Sequence, residues 1–144
     1  MAVTTREIDR DEWVIRGIPP VGINTQTGDL SSFYFKSGEI STTLLSEASI
    51  AILLKIGGFR RLAAINVGYC RDLDLSVEHT PVEDDDVSPD NPEHVSVRMP
   101  KPGRGGKANS LRKHAIWVEI EKETPKALYQ SLLQRIEARA GEDE

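Results

Sequence analysis

Residues 32–58, SFYFKSGEISTTLLSEASIAILLKIGG, set the expected architecture. Ser32 to Lys36 is aromatic-rich and predicts a strand, because aromatic side chains suit a pleated, half-buried surface. Ser37-Gly38 predicts a hairpin turn. Glu39 to Leu45 predicts the next strand, with Ser41, Thr42 and Thr43 adding β-branched and hydroxyl positions. Ser46 then offers an N-cap hydroxyl and Glu47 a first-turn acid, both favourable at a helix start. The helix should run to about Ile56 and stop at Gly57-Gly58. Strand, turn, strand and helix in this order, with no repeated strand–helix–strand unit around them, argue for α+β and against a doubly wound parallel sheet.

The flanks extend the pattern. Trp13 to Ile18 predicts a strand stopped by Pro19-Pro20, which cannot donate to a ladder. Residues 19–30 read as a loop. Arg61 to Val67, Leu75 to His79, His94 to Met99 and Ala115 to Ile120 predict further strands. Gly68 to Leu73 suits a short helical turn, and Lys107 to His114 a short helix. Thr124-Pro125 is a capping hydroxyl followed by proline at the first helical position. From there Leu128, Leu132, Leu133 and Ile136 form one apolar stripe of a helix reaching Ala140. The expectation is a single α+β domain over residues 1–140, with a frayed tail at 141–144. Its sheet is mostly antiparallel, of about six or seven short strands, with two main helices. The helix at 47–56 is apolar on nearly all sides, which predicts burial in the core or under a second subunit.

Composition bounds the function. The chain has 144 residues, 38% hydrophobic and 28% charged, which suits one globular domain. The formal charge is −5, so no global basic bias marks a nucleic-acid binder. One cysteine excludes an internal disulfide framework and makes a reducing cytoplasm the natural setting. The first ten residues lack the apolar stretch of a signal peptide, and the longest apolar run, Ile50 to Leu54, is far too short to span a membrane.

Charge is nevertheless sharply segregated. Glu83, Asp84, Asp85, Asp86, Asp90 and Glu93 fall together without a base, and Arg98, Lys101, Arg104, Lys107, Arg112 and Lys113 follow without an acid. Gly103, Gly105 and Gly106 punctuate the basic part, which reads as a flexible loop. Clustered mobile cations can hold phosphates or an acidic protein face. The spacing is not that of a phosphate-binding P-loop, because Lys101 and Ala108 stand where Gly and Ser or Thr are needed. Only Trp117 is near, so base stacking has little support. The plain alternative is a solvated loop, screened or merely neighboured by the acidic one. The leading expectation is a small cytoplasmic binding or accessory protein presenting residues 98–113 to nucleic acid or to an acidic protein surface. It has no cofactor, no metal and no membrane partner, and it can assemble as a homo- or hetero-oligomer. A structural accessory subunit without a ligand of its own is a further alternative.

Two other constellations bear on chemistry. His94-Val95-Ser96-Val97 matches one copy of a tetrapeptide that two-histidine phosphoesterases carry twice. No second copy exists, so His94 reads as a partly buried histidine with a hydrogen-bond partner. No two histidines have metal-ligand spacing, and Cys70 reads as a small buried hydrophobe. Arg16 on the first strand, Tyr34 on an aromatic strand, and a Ser/Thr-rich strand leading to Glu47 form the second constellation. This chain order resembles that of small ADP-ribosyltransferase-like toxins, including the RES type, over about 35 residues, although the usual glycine-arginine-tryptophan element is missing. The resemblance implies an NAD- or nucleotide-using enzyme. Arg16 and hydroxyl groups would hold phosphates and Glu47 would steer the ribosyl chemistry, with Tyr34 the third member of the candidate catalytic set. The balance of the reading remains a binding protein rather than a catalyst.

Overall fold

The computed structural model describes residues 6–36, 38–81, 91–101, 103–121 and 124–142. In chain order the elements are β1 (Trp13–Ile18), β2 (Glu39–Leu44), α1 (Glu47–Ile56), β3 (Arg61–Asn66), α2 (Val67–Asp72), β4 (Ser76–His79), β5 (His94–Arg98), α3 (Arg104–His114), β6 (Ile116–Glu119) and α4 (Pro125–Glu142). The six strands form one sheet in the order β4-β5-β2-β1-β3-β6, and every pairing is antiparallel. This is the expected α+β domain.

Strand alternation sends side chains to both faces, and both faces are covered. Val14 and Ile18 of β1, Ile40 of β2, Ala63 and Ile65 of β3, and Val95 and Val97 of β5 point to one side. There they meet Phe35, Val67 and Cys70 near α2, and Ala108 and Leu111 of α3. Ile15, Leu62, Ala64, Ile116 and Val118 point to the other side and meet Ile50 of α1 with Leu128 and Leu132 of α4. The result is a three-layer arrangement with two apolar cores. β3 carries five consecutive buried residues because it is covered on both faces.

The caps behave as their residue types dictate. Ser46 Oγ accepts from Ser49 N at 3.0 Å, and Thr124 Oγ1 accepts from Ala127 N at 3.2 Å. Gly57, at φ +79, closes α1 in a backbone region that other residues rarely adopt.

Four expectations are corrected. Residues 32–36 are not a strand. Ser32–Phe35 is a 3-10 turn, so the strands number six. Its aromatics are used for packing rather than pairing: Phe35 is fully buried and Tyr34 lies against β1. Strand preference of aromatics is a preference for such packing, and here tertiary contact supplies it without a ladder. The Ser37-Gly38 hairpin falls partly outside the described residues.

The helix expected from Lys107 to His114 is present but begins three residues earlier, at Arg104, so Gly105 and Gly106 are helical rather than part of a flexible loop, and three substantial helices stand where two main ones were expected. Ala108 and Leu111 anchor it in the core, so the stretch is part of the fold and not an addition to it. α1 is only partly covered. Ser49 and Ile50 are buried, Leu53 and Leu54 are half-buried, and Ile56 is 53% exposed. Last, α4 continues helical through Glu142, past the Gly141 at which fraying was expected. The acidic residues 83–86 and 90 lie outside the described residues, and with them any screening of the basic segment.

Candidate functional site

The site begins with an interruption of the ladder between β1 and β2. Those strands pair at Val14↔Leu44 and Ile15↔Thr43, and the register goes no further. Leu45 N donates to Trp13 O at 2.9 Å, so odd-numbered β1 residues turn their backbone groups toward β2. Continued pairing would set Gly17 N–H on Ser41 O. Instead the strands part, and Arg16 Nη1 donates to Ser41 O at 2.7 Å. A side chain has taken the acceptor that the ladder gives up, and a wedge opens in the middle of the sheet.

A cavity of about 540 Å³ occupies this wedge. Ile15, Gly17, Ile52, Leu53, Ile56 and Phe59 give it apolar walls, and Arg16, Tyr34, Ser41, Thr42, Thr43, Asn91 and His94 give it polar ones. The size falls in the usual range for small-molecule sites. Two glycines make room. A Cβ on Gly17 would lie 2.5 Å from the Phe59 ring, and one on Gly22 would lie 2.7 Å from Ile18 Cγ2 and 3.2 Å from the Tyr34 ring. Phe59 and Tyr34 hold their positions only because those side chains are absent.

Arg16 is the electrostatic centre. Its guanidinium carbon stands 4.7 Å from the centroid of the Tyr34 ring, a cation–π contact worth about 0.5–2 kcal/mol. Burial pushes its pKa down, and Tyr34 partly offsets that. Arginine keeps its proton through such shifts. Its Nε is buried without a partner among the described residues, and no acid is among the described residues that line the cavity. The result is a positive charge beside a hollow, with Nε itself sealed from it. Arg104 also has a buried unpartnered Nε, but it does not line this cavity.

His94 stands across the wedge. Its Nδ1 lies 3.0 Å from both Thr80 O and Thr80 Oγ1. A carbonyl oxygen only accepts, which assigns the proton to Nδ1 and leaves Nε2 as a lone-pair acceptor. The chain continues with Thr80 Oγ1 to Ser96 Oγ at 2.7 Å and Ser96 Oγ to Glu39 Oε1 at 2.8 Å. Since Ser96 donates to the carboxylate, Thr80 donates to Ser96 and receives from His94. Each hydroxyl donates once and accepts once, and the order ends on a charge. Burial pushes the His94 pKa down; the Thr80 backbone bond and Glu39 oppose it, and His79 adds to it. The imidazole is therefore neutral near pH 7.

Of the candidate catalytic residues, the structure brings Arg16 and Tyr34 into one cleft. Glu47 is exposed in the first turn of α1 and is not among the residues lining the cavity. The candidate binding residues are more dispersed. Arg98 Nη1 pairs with Glu78 at 2.6 Å, Arg104 Nη2 donates to Met99 O at 3.0 Å, and Arg112 donates to Asn109 Oδ1 from both Nε and Nη2. Lys101 and Lys113 are exposed, and Lys107 is half-buried. At about 100° per residue, Lys107 and Arg112 fall on opposite flanks of the buried Ala108–Leu111 stripe and Lys113 on its outer side. The six bases do not converge on one face.

Cys70 is buried, and desolvation pushes its thiol up to about 12, which makes it a packing residue rather than a nucleophile. The described residues hold no group of three or more metal-ligating side chains, and no helix long and apolar enough to cross a membrane.

Sequence reading missed the Thr80–Ser96–Glu39 chain, together with Phe59 and Asn91. A signal for part of it was present: His94 and Ser96, two apart on a strand, must share a face. No family model, curated protein or solved structure matches this chain.

Proposed function

We propose that the protein binds a small organic anion with an apolar body in the wedge between β1 and β2. The observation that carries this reading is Arg16: a half-buried guanidinium set in a cavity with no acid among the described residues that line it. A carboxylate or phosphate would pair with that charge through a charge-assisted contact. The apolar walls from α1, Phe59 and Ile15 suit the rest of such a ligand.

Calorimetric titration with benzoate, phenylacetate, phenylpropionate, phenyl phosphate, AMP and NAD tests it. The nucleotides belong in the panel because Arg16 and Tyr34, two of the three candidate residues of the toxin-like reading, both line this cavity. Arg16→Gln should weaken binding of the anions about tenfold or more, since a hydrogen bond to a charged group contributes about 1.5–3 kcal/mol. Equal affinity in the variant, with its fold intact by circular dichroism, would overturn the reading.

A second and narrower proposal concerns the basic stretch. Lys101, Lys107 and Lys113 carry no ion pair among the described residues. These three, rather than all six bases, are what the surface can offer nucleic acid or an acidic protein face.

A further inference from the structure

We infer that the occupant of the wedge carries a hydrogen-bond donor, a hydroxyl or an N–H, at the end remote from its anionic group, and that His94 Nε2 receives it. This rests on the anion reading and names the ligand class more closely: hydroxylated or aminated organic anions, with phenolic acids as the simplest members.

The argument is one of hydrogen-bond sense. Most polar groups on the cavity wall are either committed or indifferent. Thr42 Oγ1 donates to Val95 O at 2.9 Å, and Thr43 Oγ1 lies within 3.4 Å of Ser49 Oγ, Asn91 Oδ1 and Glu93 O. Ser41 and Tyr34 carry hydroxyls, which donate or accept as a ligand requires and so do not discriminate. His94 is different. Thr80 O fixes its proton on Nδ1, and the chain through Thr80 and Ser96 to the Glu39 carboxylate holds that sense from behind. Nε2 is left with no partner among the described residues and is not among the atoms sealed from solvent. A neutral imidazole locked in this tautomer accepts and does not donate at Nε2. It therefore rewards a ligand donor and rejects a bare acceptor.

Placement supports a two-ended ligand. The register Ile15↔Thr43 and Thr43↔His94 sets these three residues in one row across β1, β2 and β5. Two strand spacings, roughly 10 Å, separate the outer members of that row. The Arg16 guanidinium has crossed toward β2, where Nη1 meets Ser41 O, so the cationic end lies in the gap between β1 and β2 and the accepting end at β5, with that backbone spacing as the outer limit of the span and the apolar side chains of α1 and Phe59 among its walls.

The probes are three pairs that differ by one para-hydroxyl and grow by one methylene: benzoate, phenylacetate and phenylpropionate, each with and without the hydroxyl. Affinities are measured for the wild type, Arg16→Gln and His94→Phe. In the wild type at least one hydroxylated member should bind about three- to tenfold more tightly than its plain partner, the range of one neutral hydrogen bond. His94→Phe should erase that difference while leaving the plain acids bound. No binding, or binding indifferent to Arg16→Gln, would overturn the anion reading itself. Arg16-dependent binding with no hydroxyl advantage, or with one that survives His94→Phe, would leave the anion reading standing and overturn this inference. Nitrogen-15 spectra of the wild-type imidazoles give an independent reading should His94→Phe fail to fold. They should show Nδ1 protonated and Nε2 bare in the free protein, and the hydroxylated ligand should move Nε2 more than Nδ1. The opposite tautomer would also overturn the inference.

Discussion

Gly17 is the smallest residue of β1, and the wedge depends on it. Its missing side chain is where the Phe59 ring lies, with an added Cβ only 2.5 Å from ring carbon. Gly17→Ala should therefore cost about 1–3 kcal/mol, the usual range for overpacking. Urea denaturation measures this, and the cause can be isolated. In a Phe59→Ala background the same substitution should become nearly neutral, because the clash is with the ring and not with backbone. An equal cost in both backgrounds would mean that Phe59 is not the reason for the glycine. His94 supports a prediction of a different kind. Its pKa is lowered in the folded protein, chiefly by burial, so the folded state disfavours the protonated ring. The sign follows from linkage. Above the unfolded value near 6.5 both states are neutral and the contribution of the buried ring is fully present. As pH falls below that value toward the lower folded pKa, the unfolded chain takes up a proton first, and stability is lost. Urea midpoints should decline over that window in the wild type and decline less in His94→Gln. A His94→Gln curve of the same slope would place the titration elsewhere.

α3 shows what an element takes from its surroundings. Its sequence, RGGKANSLRKH, has two glycines in the first turns, a poor start on intrinsic preference, and no side chain caps it. Local signals accordingly suggested a loop as far as Gly106. Two things outweigh them. Ala108 and Leu111 are buried against the sheet, and Arg112, Lys113 and His114 sit in the last turn, where positive charge complements the helix dipole. Tertiary burial is visible to periodicity only when apolar residues are numerous, and here there are two. Gly105 and Gly106 have open space where a Cβ would stand, with no positive φ at either. Gly105→Ala and Gly106→Ala should each raise stability by about 0.5–1 kcal/mol. Thermal unfolding of the two single variants checks this; a loss in both would mean that the segment is not helical in solution. The opposite error occurred at residues 32–36, where strong strand preference was satisfied by packing alone. α1 and α4 were legible because their caps, Ser46 and Thr124, and their stops or stripes are written locally.

At the scale of the molecule, the order of strands was not legible, and the candidate site is a consequence of that order. β1 stands between β2 and β3, so a register that breaks on one side while holding on the other opens a cavity in the sheet without unravelling it. Arg16 and Tyr34 were grouped only through the chain-order resemblance, which took residues 32–36 for a strand that the structure does not have. Glu47 was not separable from them, because only the three-dimensional placement of the α1 N-terminus puts its side chain outside. The charge segregation was legible as composition but not as surface. Arg98, Arg104 and Arg112 are each engaged by a neighbour, which leaves Lys101, Lys107 and Lys113. For a contact made by these three lysines alone, their number sets the salt dependence. Each neutralised phosphate contributes roughly −0.9 to the slope of log affinity against log salt, so three free lysines give a slope no steeper than about −3. The formal charge of −5 opposes approach as a whole. Titration with duplex DNA from 20 to 200 mM salt should therefore show weak binding with a shallow slope, abolished by changing the three lysines to alanine, while binding of the small anions in the wedge stays unchanged. A slope much steeper than −3 would mean that further bases join the interface, and alanine at Arg98, Arg104 and Arg112 would show whether the acidic-partner reading extends to the full stretch from Arg98 to Lys113.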